Sequence, residues 1–193
     1  MRRFALFGEC LTAGLLAGLA ILPVITLLPA LAAGCAHIRA HVDGDSTAVR
    51  AFFARARAAY PGSVRPSLGV AAGYLLLAGD VWILRTGVPG SAPVGAICGV
   101  VAVALSVVVL RAAAAWAPGT PWAQLVRRAA RRAVTSDPSG SLLLVLALGM
   151  LVLVTWQLLP LAVPMLGCVL MAAVAVESRY ARRAGTALRD TPA

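Results

Sequence analysis

The chain has no lysine and no asparagine, and only seven of its 193 residues are acidic. Charged residues of all kinds make up 12% and aromatics 6%. A soluble chain carries roughly 25% charged residues, so this one has too little polar surface to face water. The scarcity of carboxylates excludes more. No series of acidic residues runs along an apolar stretch, as a proton relay needs, and no two stand as a general acid and base. There is no nucleophile motif and no glycine-rich phosphate loop. Cys10, Cys35, Cys98 and Cys168 form no CxxC pair and have no His at ligand spacing. They read as small apolar side chains, not as a disulfide framework or a metal site. His37 and His41 are four apart, but no Glu lies between them and no third ligand follows. The expectation is that the chain is not an enzyme and carries no cofactor.

What is present is apolar. Residues AVILMFWYC make up 61% of the chain, and mean hydropathy is +0.89. All 17 cations are arginine, for a net charge of +10. In a soluble protein that charge points to nucleic acid. Here the arginines sit in short patches between apolar runs, which a bilayer explains and nucleic acid does not. The runs cover residues 7–36, 67–85, 92–111, 141–159 and 161–177. A span of the hydrocarbon core needs about 20 residues. The first run is too long for one straight span, and Pro23 and Pro29 interrupt it. Each ring removes a backbone donor and clashes with the carbonyl four residues back. Pro23, Thr26 and Pro29 therefore mark a helix break, with the Thr26 hydroxyl placed to satisfy a freed carbonyl. The run is either a hairpin of two short helices or one kinked span.

Two polar stretches carry amphipathic helices. Over residues 46–60, Val49, Phe52, Phe53, Ala56 and Tyr60 share one face, Arg50, Arg55 and Arg57 flank it, and Ser46 is the N-cap candidate. Over residues 121–135, Trp122, Leu125, Val126, Ala129 and Ala133 line one side and Arg127, Arg128, Arg131 and Arg132 the other. Both are expected to lie at the headgroup surface, presenting arginines to anionic lipid or to a partner protein. The two regions repeat a pattern of arginine helix, proline, apolar helix and short turn.

Arginine placement sets topology. The groups are Arg2 and Arg3, five between residues 39 and 65, five between 111 and 132, and four after 178; Arg85 stands apart. All four groups share the cytoplasmic side if the first run is a hairpin, which favours six helices with both termini inside.

Candidate functional residues within the apolar runs are few. Asp80 and Arg85 lie toward the end of the second run. A charge at the bilayer centre costs about 2.5–3.5 kcal/mol on insertion scales, so such residues attract a functional reading. The alternative is that both sit at the outer interface, with Arg85 reaching the headgroups. Glu9 and Glu177 lie near helix ends and read as structural. Gly14-x-x-x-Gly18, Gly69-x-x-x-Gly73 and Gly95-x-x-x-Gly99 are helix-packing spacings. Leu31-Ala-Ala-Gly-Cys35 has the form of a lipoprotein cleavage box, but the apolar region before it exceeds the roughly 7–15 residues of a signal core.

Three segments together resemble the YesL family of bacterial integral membrane proteins, a domain of unknown function. They are Leu22-Pro-Val-Ile-Thr-Leu-Leu-Pro-Ala30 leading to Arg39, Arg50-Ala-Phe-Phe-Ala-Arg-Ala-Arg57 before the next span, and the final hairpin Leu158-Leu-Pro-Leu-Ala-Val-Pro164. The family's arginine-rich segment often ends in Asn-Phe; Ala59-Tyr60 stands there instead. The similarity covers about residues 5–183. It implies a small polytopic protein whose relatives often accompany sugar-uptake systems, and it supplies no catalytic residues.

The expected fold is all-α: one polytopic integral membrane domain over residues 1–183, with five apolar runs folding as six helices in three hairpins. Two cytoplasmic amphipathic interfacial helices and a short, basic, disordered tail over 184–193 complete it. The expected location is the bacterial cytoplasmic membrane. Expected partners are a bilayer with anionic headgroups and a sugar-transport permease or sensor, and not nucleic acid. The expected role is an accessory or regulatory component of carbohydrate uptake; the alternative is a small transporter or channel using the proline-broken helices.

Overall fold

The computed structural model describes the backbone of residues 2–45, 48–84, 86 and 91–189, and the side chains of 8–45, 48–84, 86 and 91–183. Every regular element among the described residues is helical. The α-helices are α1 Arg2–Ile21, α2 Leu27–Asp43, α3 Val49–Ala59, α4 Val64–Leu84, α5 Ser91–Ala114, α6 Trp122–Arg131, α7 Pro138–Gln157 and α8 Ala162–Arg189. A π-helical turn, Arg132–Ser136, continues α6. The expected N-cap Ser46 and the candidate Arg85 lie outside the described residues.

Proline sets where most of these helices start. Pro29, Pro66, Pro93, Pro138 and Pro164 stand in the first turns of α2, α4, α5, α7 and α8. First-turn amides have no intrahelical partner, and the ring's fixed φ suits a helix start. The break in the first apolar run is therefore shorter than Pro23 to Pro29. It runs from Leu22 to Thr26, through a single 3-10 turn at Val24–Thr26, and Pro29 belongs to α2. A second 3-10 turn, Leu159–Leu161, joins α7 to α8 in the same way. The Thr26 hydroxyl lies 2.5 Å from the Ala20 carbonyl, which the break frees, and 2.5 Å from the Pro23 carbonyl, which also accepts the Thr26 amide at 2.8 Å.

Five helical segments are long and apolar enough to cross a membrane: Val24–Asp43, Val64–Leu84, Ser91–Ala114, Pro138–Gln157 and Leu159–Arg183. The apolar part of α1, Gly8–Ile21, is shorter. The first run is thus two helices and not one kinked rod. They fold back on each other, because Glu9 near the start of α1 reaches His37 near the end of α2 at 3.0 Å. Helix α2 runs on to Asp43, past the apolar run, and ends where Gly44 adopts φ 84 as a left-handed cap. The expected disordered tail is also corrected. Residues 184–189 continue α8, since Ala, Arg and Leu are strong helix formers and no proline intervenes before Pro192; residues 190–193 lie outside the described residues.

Glycine brings α1 and α8 together. A Cβ on Gly167 would stand 1.9 Å from the Cys10 carbonyl oxygen, and one on Gly14 would stand 2.4 Å from that of Val163. Only the missing side chains permit this approach. The spacing motifs are half right. Gly14, Gly73 and Gly95 face neighbouring helices, whereas a Cβ on Gly18, Gly69 or Gly99 would meet nothing within 4 Å.

Helices α4 and α5 pair through Tyr74 Oη and Ser106 Oγ, 2.5 Å apart. In that antiparallel register Ser67 and Ala114 stand at about the same level. Helix α2 touches both. The Leu28 amide donates to Ser67 Oγ at 3.4 Å, and Arg39 donates to the Ala114 carbonyl. One end of the bundle is well packed: Ser67 and Val70 of α4, Val107 to Ala114 of α5 except Val108, and Gly140 and Leu144 of α7 are buried. At the other end Leu75, Leu76, Trp82, Ile97, Val100, Val152 and Trp156 are exposed. An apolar surface of that extent needs lipid or protein to cover it.

Candidate functional site

The packed end of the bundle is also its arginine-rich end. Helices α2, α5 and the apolar part of α8 finish there, α7 begins there, and α3 and α6 lie across it. Arg111, in the last turn of α5, is 1% exposed. Its Nη2 donates to the Asp137 carbonyl at 2.9 Å and to Asp137 Oδ2 at 3.0 Å. Asp137 also caps α7, accepting from the Gly140 amide at 3.1 Å and from Ser139 Oγ at 3.0 Å. Burial pushes its carboxyl up, but the bonds from Arg111, Gly140 and Ser139 outweigh that and hold it below its ordinary value. Glycine at position 140 is required, because a Cβ there would stand 2.0 Å from Asp137 Oδ2. Glu177 of α8 lies 3.9 Å from Arg111 Nη1 and accepts from Arg132, whose guanidinium stacks 4.7 Å above the Tyr180 ring. One buried cation thus ties α5 to α7 and α8, and the half-buried Arg132 ties the π-helical turn after α6 to α8. A buried pair of this kind specifies an arrangement more than it adds stability.

The amphipathic helices differ from expectation in what covers their apolar faces. On α6, Trp122, Leu125 and Ala129 are buried in the protein, and the Trp122 indole donates to the Ala59 carbonyl at 2.8 Å, joining α6 to the end of α3. On α3, Phe52 and Ala59 are buried, with the Phe52 ring edge-on to His37 at 6.2 Å between centroids. The apolar faces the sequence assigned to the headgroup layer are therefore largely spent on the bundle. Phe53 and Val49 of α3 remain exposed.

The arginines divide accordingly. Arg127, Arg128 and Arg131 are exposed on α6 and, with Gln124 and Ala130, line a shallow depression of about 600 Å³. Arg132 does not join them, being turned to Glu177. Arg50 and Arg57 are exposed on α3, and Arg55 is half-buried with Nη1 buried and unbonded. Asp80 is exposed on α4 and has no hydrogen bond or ion pair among the described residues. It is far in sequence and structure from the charged network. Pro23 is exposed in the break, Thr26 is half-buried, and Pro29 is buried in α2.

Two groupings escaped sequence reasoning. The network of Arg111, Asp137, Glu177 and Arg132 joins residues 26 and 45 positions apart. Its one sequence signal is that two of the apolar runs, 92–111 and 161–177, end there on a charged residue, Arg111 and Glu177. The second grouping is Glu9 with His37 and His41, at 3.0 and 3.8 Å. His37 is fully buried, with Nδ1 unbonded. No set of three or more His, Cys, Asp or Glu among the described residues has metal-holding geometry. All four cysteines are free, and Cys35 is buried in mid-helix. Comparison with protein-family models, curated proteins and solved structures finds no match to this chain.

Proposed function

We propose that this is a multi-pass protein of the bacterial cytoplasmic membrane, serving as an accessory or regulatory component that docks on a partner through the exposed arginines of α6. In this reading α1–α2, α4–α5 and α7–α8 are three hairpins. Both termini and the arginine-rich end face the cytoplasm, as arginine distribution favours. The observation that carries it is the orientation of α6. Its apolar face is held by the protein, so Arg127, Arg128 and Arg131 are presented outward along a depression and are not needed to anchor a helix in lipid. The resemblance to the YesL family supplies the partner class, a sugar-transport permease or its sensor. Affinity purification of the intact protein in mild detergent, with mass spectrometry, tests it. The reading expects stoichiometric recovery of a permease or sensor, lost when Arg127→Gln and Arg131→Gln are combined. Recovery of the chain alone, or a partner that stays bound to the double variant, overturns it.

A second reading, a small transporter, is favoured by one observation. A recess of about 780 Å³ opens at the α7–α8 break, lined by Thr155, Trp156, Gln157 and Leu159, with Thr155 Oγ1 buried and unbonded. Interrupted helices often frame ligand sites. Solute flux into reconstituted vesicles that Asp80→Asn or Thr155→Val abolishes would support it; absence of flux removes it.

A further inference from the structure

We propose that the cleft enclosed by α2, α5, α6 and α8 at the arginine-rich end is a binding site for a phosphate ester, held chiefly by Arg39 and Arg128. The cleft has a volume of about 650 Å³. Four arginines line it, Arg39, Arg128, Arg132 and Arg182, against two carboxylates, Asp43 and Glu177. Glu177 is already engaged by Arg132. Arg39 spends one Nη on the Ala114 carbonyl, which leaves the rest of its five-donor fork. Arg128 has no hydrogen bond or ion pair among the described residues. With Arg132 matched by Glu177, Arg128 and the remaining donors of Arg39 are left facing the cleft.

A second observation points the same way. A smaller recess of about 380 Å³ shares Arg39, Trp116 and Ala117 with the cleft and is lined also by Arg55 of α3. Arg55 Nη1 is buried and has no hydrogen-bond partner among the described residues. A guanidinium nitrogen removed from water and left without an acceptor carries its full desolvation cost, and an anion in the recess relieves it. Arg39 of α2 lines both spaces, with Arg128 of α6 on the cleft side and Arg55 of α3 on the recess side. A tetrahedral phosphate offers oxygens in several directions, whereas a planar carboxylate is satisfied by one bidentate fork. The remaining walls are apolar: Val42, Leu125, Val174 and the Trp116 indole. Inorganic phosphate would leave them wet, so an ester with an organic body fits better.

Two sources supply that chemistry, an anionic phospholipid or a soluble sugar phosphate. The cleft shares Arg128 with the docking face, but Arg127 and Arg131, the two arginines changed in the docking test, do not line it. The test uses the full chain in an uncharged detergent, with thermal unfolding followed by tryptophan fluorescence. The probes are glucose 6-phosphate with glucose as control, and short-chain phosphatidylglycerol with phosphatidylcholine as control. The expected result is a saturable rise in Tm with at least one anionic probe and with neither control. Arg128→Gln, at an exposed position, should weaken the effect about tenfold, and the equally exposed Arg65→Gln should leave it unchanged. A response to phosphatidylglycerol alone assigns the lipid source; a response to glucose 6-phosphate assigns the soluble one. No saturable response, equal response to the controls, or equal loss in Arg65→Gln overturns the proposal.

Discussion

Arg111→Met replaces the cation at the centre of the buried network with an apolar side chain of similar length. It removes two bonds to Asp137, at 2.9 and 3.0 Å, and the 3.9 Å pairing with Glu177. Asp137 is buried and left without a cation, while Glu177 keeps Arg132. Breaking a buried pair by removing one partner costs about 3–5 kcal/mol, most of it from the charge left behind. At about 2–4 °C per kcal/mol for a chain of this size, Tm falls by roughly 6–20 °C. The stranded charge can be removed in turn. Asp137→Asn in the same background keeps an acceptor for the Gly140 amide and no longer needs a cation. The double variant is therefore expected to recover part of the loss, with a coupling of at least about 2 kcal/mol in a double-mutant cycle. Thermal unfolding of the four proteins in detergent measures it. A loss under about 1 kcal/mol for Arg111→Met, or additive effects, would refute the view that Arg111 and Asp137 are a desolvated pair.

Other outcomes follow from the same packing. Gly167→Ala places a Cβ against the Cys10 carbonyl and should cost about 1–3 kcal/mol as overpacking, whereas Gly18→Ala, facing open space, should leave Tm unchanged. Trp122→Phe deletes the indole bond and leaves the Ala59 carbonyl buried without a donor, a loss of about 1–3 kcal/mol read by the same melts. The Asp137 carboxyl is held below its ordinary value, so its contribution is complete above the unfolded pKa of about 3.9 and is lost as pH falls through the folded value. Tm should therefore drop more steeply on acidification below about pH 4 in the parent than in Asp137→Asn; identical profiles would show that this carboxylate does not contribute.

The sequence read well wherever local chemistry decides. Apolar runs became helices, Thr26 closed the break it was placed to close, and the two arginine stretches became α3, Val49–Ala59, and α6, Trp122–Arg131, inside the expected bounds. It read poorly wherever the partner is distant. Periodicity shows that Trp122, Leu125 and Ala129 share a face, but not whether lipid or protein covers it. GxxxG spacing marks a face that can pack closely, yet Gly167, the tightest glycine, lies in no such motif and is defined by the carbonyl of Cys10. Arg111 read as one more topogenic arginine, because the carboxylates that bury it come from α8 and from the start of α7. The prolines misled by their number. Several mark helix starts and not breaks, since a first-turn residue has no donor to lose.

The proposed orientation puts the arginine-rich end in the cytoplasm. It is tested by attaching a membrane-impermeant maleimide to single cysteines in intact cells, with the four native cysteines changed to Ala. Arg57→Cys and Arg127→Cys lie at the arginine-rich end, and Thr86→Cys lies at the far end of the α4–α5 pair. Labelling of the Thr86→Cys protein in intact cells, with the other two labelled only after lysis, is the predicted result. Labelling of Arg57→Cys or Arg127→Cys in intact cells, or of all three together, would contradict it.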